Sequence, residues 1–167
     1  MIQIKNAAEL QKMRKACAIS AAALKAGGEA IEPGITTAEI DKIIYDFIVR
    51  HGARPNFLHL YGFPATACIS VNDTVIHGIP NKQQQIRPGD IVSIDTGCKI
   101  DGFNGDNACT YACGKIDLEA QRLLDVTKES LHRGIEMACG GNRVGDIGHA
   151  VQSYVEENGF SVVRTFV

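Results

Sequence analysis

Apolar residues recur along this chain at two different spacings, and the change between them divides it into three stretches. From Asn6 onward Leu10, Met13, Cys17, Ala21, Leu24 and Gly28 follow one another every three or four positions, the period of a helix with one buried face. Asn6 can cap that helix while Glu9 reaches back to it, and "EPGI" at 32–35 ends it. A second helix starts in "TTAEI", with Thr36 as cap and Glu39 at its third position. It buries Ile40, Ile43, Ile44, Phe47 and Ile48 and stops at Gly52. Residues 54–115 then switch to β-formers broken by turn signals. "ACISVNDTVIHGIP" (67–80) predicts a hairpin turning at Asn72-Asp73, and "RPGDIVSIDTGCKIDGFNGDNACTYACGK" (87–115) predicts another turning at Asp101-Gly102. Helical spacing returns over roughly 118–138 and 144–158, stopping at Gly159.

The last two helices echo the first two. Sliding residues 19–53 forward by 107 lays Leu24, Gly27, Glu29, Gly34, Ile40 and Gly52 on Leu131, Gly134, Glu136, Gly141, Ile147 and Gly159, with Phe47 on Tyr154 and no gap. The shared layout of helix, glycine turn and helix predicts a duplicated half. In the first copy the helices lead into strands; in the second the sequence given ends with "FSVVRTFV", eight residues past Gly159, before any strands of that copy. The expected architecture is therefore α/β in the α+β sense. Residues 1–115 form a complete N-terminal half, residues 116–167 supply only the helical start of a second half, and 1–167 is one incomplete domain.

Composition narrows the classes. With 45% hydrophobic and 22% charged residues the chain reads as an ordinary soluble globular protein. A net charge of −2 gives no reason to expect nucleic acid or an anionic membrane surface. No stretch approaches the ~18 consecutive apolar residues of a spanning helix, and "MIQIKNAAELQKMRKAC" lacks the apolar core of a signal peptide. Six cysteines without a C-x-x-C pair read as reduced thiols in a cytoplasmic protein. Cys109 and Cys113 lack the second pair that a zinc site needs.

The chemistry gathers in "SIDTGCKIDGFNGDNACTY". An ionised carboxylate in a half-buried strand is costly unless something compensates it. A two-residue turn at Asp101-Gly102 pairs Ile100 with Phe103, which sets Asp95 opposite Ala108 and Asp106 opposite Gly97. Side chains alternate along strands, so Asp95 and Asp106 share a face as diagonal neighbours, within the ~7–8 Å such pairs show. Two like charges there stay ionised only with a cation between them, and paired carboxylates suit two divalent ions. The plainer reading is one turn aspartate and one solvated strand aspartate. A rival reading is the Asp-Thr-Gly of aspartic proteases, but its downstream apolar-apolar-Gly partner would have to be "DIGHA", a poor fit that leaves Asp106 without a role. His77 ends a predicted strand just before a glycine–proline loop, where reactive groups often lie.

"YGFPATACISVNDTVIHGIP", "RPGDIVSIDTGCKIDGFNGDNACTY" and "GFSVVR" together resemble the type I methionine aminopeptidases, in register from about residue 4 to residue 167. The resemblance implies the "pita-bread" fold, two similar halves about a pseudo-twofold axis. It implies removal of the initiator methionine from nascent polypeptides whose second residue is small, in the cytoplasm and in association with the ribosome. It also implies two divalent metal ions, variously cobalt, manganese, iron or zinc. Asp95 would chelate one ion and Asp106 would bridge both, with a metal-bridging hydroxide attacking the first peptide bond. His77 would contact the substrate backbone and stabilise the tetrahedral intermediate, while Phe63 and Cys68 would line the pocket for the methionine side chain. Phe57 stands where relatives often carry a smaller residue. The family's remaining ligands, one histidine and two glutamates, belong to a later part of the fold; His132 and His149 lie on predicted helices without a ligand match. The alternative is an inactive remnant or a non-catalytic pita-bread binding module.

Overall fold

The computed structural model describes residues 3–164 and divides into two compact units, Met1–Ile116 and Asp117–Val167. The first contains helices α1 (Ala7–Glu29) and α2 (Thr37–Arg50) and strands β1 (Arg54–Pro55), β2 (Ala67–Val71), β3 (Ile91–Ile100) and β4 (Phe103–Ala112). The second contains helices α3 (Leu118–Met137) and α4 (Val144–Glu157). Both predicted capping boxes form: the Asn6 and Thr36 side chains each accept from the backbone N–H of the glutamate three residues on, and that glutamate accepts from the cap N–H in return.

β3 is the centre of an antiparallel sheet. β4 runs along one edge for its full length, and β2 and the two-residue β1 pair end to end along the other. α1 packs on β3 and β4, and α2 closes the same layer. Between helices and sheet lies a core in which Ile40, Ile44, Ile48, Val92, Ile94 and Cys98 are fully buried. Each such aliphatic side chain stabilises the fold by about 1.5–3 kcal/mol relative to its exposed state.

One expectation holds only in part here, and another fails. α1 buries Ala16, Ser20, Ala23, Leu24, Gly27 and Gly28, while Leu10, Cys17 and Ala21 face solvent. The cause is proximity: a methyl group on Gly105 of β4 would overlap the Ala16 carbonyl, and one on Gly28 would overlap the Tyr111 ring. A helix this close to a sheet must present its smallest residues, so the expected stripe catches only part of the buried face, Leu24 and Gly28 with Met13 half-buried. The hairpin expected over 67–80 is also absent. β2 pairs instead with β3, Val71 opposite Val92, and residues 74–80 form no strand. One β-strand has two edges, and the long-range pairing with β3 takes one of them; on the other, only isolated bonds to the 74–80 segment form.

The echo between the helix pairs extends to geometry. α4 begins and ends 107 residues after α2. A Cβ on Gly27 would lie 2.7 Å from Ile44 Cδ1 and 3.5 Å from Ile40 Cγ2; one on Gly134 would lie 2.8 Å from Val151 Cγ2 and 3.5 Å from Ile147 Cγ2. These are the same positions under the same shift. Gly34 and Gly141 share φ near +100° (97° and 100°), and Gly52 and Gly159 match at 74° and 79°. The N–H of Arg143 donates to Asp146 as that of Thr36 does to Glu39.

Backbone lies against backbone at Gly105, so neither side can yield. Gly105→Ala is expected to lower stability in urea unfolding by about 2 kcal/mol, whereas Gly140→Ala, with nothing near its Cβ, changes it by less than ~0.5 kcal/mol.

Candidate metal centre

The sheet face turned away from α1 and α2 carries the polar positions. Ladder partners run Cys68–Asp95–Ala108 in one row, Gly97–Asp106 in the next, and Ser70–Ser93–Thr110 on the other side. Asp95 therefore stands opposite Ala108 and Asp106 opposite Gly97, as the two-residue turn requires, and the carboxylates share a face. In the hydroxyl row Ser93 Oγ and Thr110 Oγ1 are 2.8 Å apart. Gly97 is buried although it lies on this outer face. Its carbonyl accepts from Asn56 N–H at 2.9 Å, and a Cβ there would lie 3.2 Å from Asn56 Nδ2 and 3.3 Å from Phe57 Cε1. Phe57 thus covers the strand beside Asp106.

The electrostatics tie four of these side chains together. Burial pushes the Asp95 carboxyl above its usual range, the Asp106 charge pushes it further, and His77 pulls it back. The Cys68 thiol is pushed up to about 11, first by burial and then by the charges of Asp95, Asp41 and Asp106. Asp95 thus senses both Asp106 and His77, and Cys68 senses Asp95, Asp41 and Asp106.

His77 comes within range of Asp95 by a route the sequence reading missed. It ends no strand; it sits in the 72–80 loop with φ +56°. The next residue holds the loop to the outer edge of β2: Gly78 N–H donates to Ser70 Oγ (3.1 Å), and its carbonyl accepts from Ile69 N–H (2.8 Å). Phe63 closes the 57–63 loop, its carbonyl accepting from His59 N–H at 2.8 Å. Those bonds place its backbone at the end of a short loop that precedes β2. His132 and His149 lie on α3 and α4, and "DIGHA" lies inside α4, which removes the partner loop of the aspartic-protease reading.

Among the described residues neither carboxylate takes part in an ion pair, and no group of three or more His, Cys, Asp or Glu side chains gathers into a metal-holding cluster. Two adjacent carboxylates are oxygen donors suited to divalent cations. They fit such ions as part of a coordination shell, since even a tetrahedral ion takes about four ligands.

Comparison with known proteins gives a consistent answer. Residues 11–167 match metallopeptidase family M24. The methionine aminopeptidase of Clostridium perfringens is 51% identical over 167 residues, covering all of this chain and 67% of that protein. The crystal structure of methionine aminopeptidase from Rickettsia prowazekii superposes with a TM-score of 0.96 at 38% identity, over 99% of this chain and 66% of its own. The Thermotoga maritima methionine aminopeptidase gives the same score and identity over 100% and 67%. The chain thus spans about two thirds of the length of these relatives.

At pH 8 a thiol titrating near 11 is almost wholly protonated, and the thiolate is the reactive form. Cys68 is expected to alkylate with iodoacetamide about a hundredfold more slowly than exposed Cys139. Asp95→Asn removes a facing negative charge and should speed Cys68 alone. Site-resolved mass spectrometry checks both; equal rates, or no response to the substitution, contradict the arrangement.

Proposed function

The chain belongs to metallopeptidase family M24, among its methionine aminopeptidases, and from that membership we propose that its aspartate face serves the removal of an N-terminal methionine from polypeptides whose second residue is small. One observation carries the reading: the β3–β4 register brings Asp95 and Asp106 onto a single face, with His77 and Cys68 beside them. The pita-bread fold of the family agrees with the repeated helix pairs.

Asp95 and Asp106 are the side chains that would contribute to holding two divalent ions, of cobalt, manganese, iron or zinc. When bound, such ions supply Lewis acidity, making water a nucleophile near neutral pH and polarising the scissile carbonyl. The protein's own groups do the rest. His77 donates a hydrogen bond to the substrate backbone and stabilises the oxygen on which charge develops as the first peptide bond is attacked. Cys68, only 6% exposed and uncharged at neutral pH, presents a small apolar wall to the methionine side chain, and Phe63 contributes from its loop. The substrates are nascent chains, met in the cytoplasm at the ribosome. Among the described residues no helix is long and apolar enough to cross a membrane.

Equilibrium dialysis against Mn²⁺ tests the metal assignment. Binding that Asp95→Asn or Asp106→Asn weakens about tenfold or more supports it; binding indifferent to both substitutions, or no binding, overturns it. Two carboxylates fill only part of a dinuclear shell. The 167-residue chain by itself is therefore expected to release methionine from a Met-Gly peptide at a trace rate, which chelator and Asp106→Asn each abolish. Rapid turnover insensitive to both contradicts the proposal. Metal-independent capture of the peptide without cleavage is the signature of the non-catalytic binding module.

A further inference from the structure

β2 is an edge strand on the side away from β3, and its outward-facing N–H groups need acceptors. Ile69 N–H finds the Gly78 carbonyl. Two residues earlier, at the same alternation, Ala67 N–H finds something less expected: Oδ1 of Asp41 on α2, at 2.8 Å. Thr66 N–H donates to the same oxygen at 2.9 Å. Thr66 and Ala67 are buried to within 1% of full exclusion, so neither N–H has water as an alternative. The Asp41 carboxylate itself is partly desolvated, which pushes its titration up against the pull of these two bonds. A carboxylate retained on a helix whose neighbours Ile40 and Ile44 are fully buried is an expensive choice unless the contact it makes is specific.

The residue after this clamp is Cys68, the ladder partner of Asp95. We propose that Asp41 is a positioning residue of the aspartate face: by gripping the N–H groups of Thr66, just before β2, and of Ala67, its first residue, it fixes the strand so that Cys68 confronts Asp95, and it does so from α2, without touching the reacting groups. The outer edge of β2 is thereby held at two points. Asp41 fixes the end next to Cys68, and Gly78, adjacent to His77, fixes the middle. What the positioned side chains accomplish rests on the proposed peptidase function; the clamp itself does not.

The test needs neither metal nor peptide, so its failure is distinguishable from failure of the peptidase reading. Alkylation of the intact chain is followed cysteine by cysteine, with Cys98 and Cys113, both fully buried outside β2, as reporters of global opening. Asp41→Ala leaves two buried donors unpaired and should raise the Cys68 rate about tenfold or more while Cys98 and Cys113 keep theirs. Both substitutions remove the charge that holds the thiol protonated, but Asp41→Asn keeps an oxygen acceptor, and its Cys68 should react at least about threefold more slowly than that of Asp41→Ala. An unchanged Cys68 in Asp41→Ala, a parallel rise at all three thiols, or Asp41→Asn behaving as Asp41→Ala each overturn the proposal. Hydrogen exchange in the unsubstituted chain guards against an Asp41→Ala variant that does not fold. Thr66 and Ala67 amides should be protected like those of the β3 ladder, and exchange at loop rates there also overturns it.

Discussion

Everything at the aspartate face depends on the register of one hairpin. Asp101 and Gly102 both adopt positive φ, +52° and +84°, the conformation of a two-residue turn whose twist matches that of the strands it joins. That turn fixes Ile100 against Phe103, and nine further pairs follow down to Ile91 against Ala112. A slip of one residue would send every side chain of a strand to the opposite face, separating the carboxylates by the thickness of the sheet and pushing Ile94 and Val92 out of the core. The apolar face and the acidic face enforce each other. The same hairpin is held from behind by α1, whose backbone meets Gly105 directly. By contrast the Lys15–Asp101 ion pair at the turn, 2.8 Å but half exposed on both sides, adds little.

β3 thus does two jobs on alternate residues. Val92, Ile94, Thr96 and Cys98 face the helices; Ser93, Asp95 and Gly97 face outward. Thr96 is polar yet fully buried, and its carbonyl accepts from Ser20 Oγ of α1 at 3.1 Å, so the strand is stitched to the helix without an unpaired group at that point. This is why "DIVSIDTG" looks almost uniformly apolar while carrying a charged residue at its centre: Ser93, Asp95 and Gly97 alternate with the inward Val92, Ile94 and Thr96, and serve the outer face.

Much of this was legible in the sequence because the signals were local. Caps three residues from their glutamates, a two-residue turn and helical periodicity are short-range rules, and α2, α3, α4 and the β3–β4 pairing follow them. The aspartates were legible for the same reason, since the turn alone sets their register. What failed was long-range. Val71 chooses Val92 as partner across twenty residues rather than the adjacent segment, so the predicted 67–80 hairpin and the strand end at His77 did not form. The inner face of α1 was set by how near the sheet approaches, which no periodicity encodes. The Asp41 clamp joins residues twenty-five and twenty-six apart in sequence; its one trace was an acidic residue bordering an isoleucine stripe.

The left-handed backbone at His77 has a bearing on how this surface can change through evolution. Residues with a branched Cβ are strongly disfavoured at φ near +56°, whereas histidine, asparagine, aspartate and glycine tolerate it. Threonine, chemically able to offer a hydrogen-bond donor, is thus screened out before any ligand arrives. The loop conformation acts as a filter on heredity: it restricts which mutations survive at that point to a short list that already includes an imidazole.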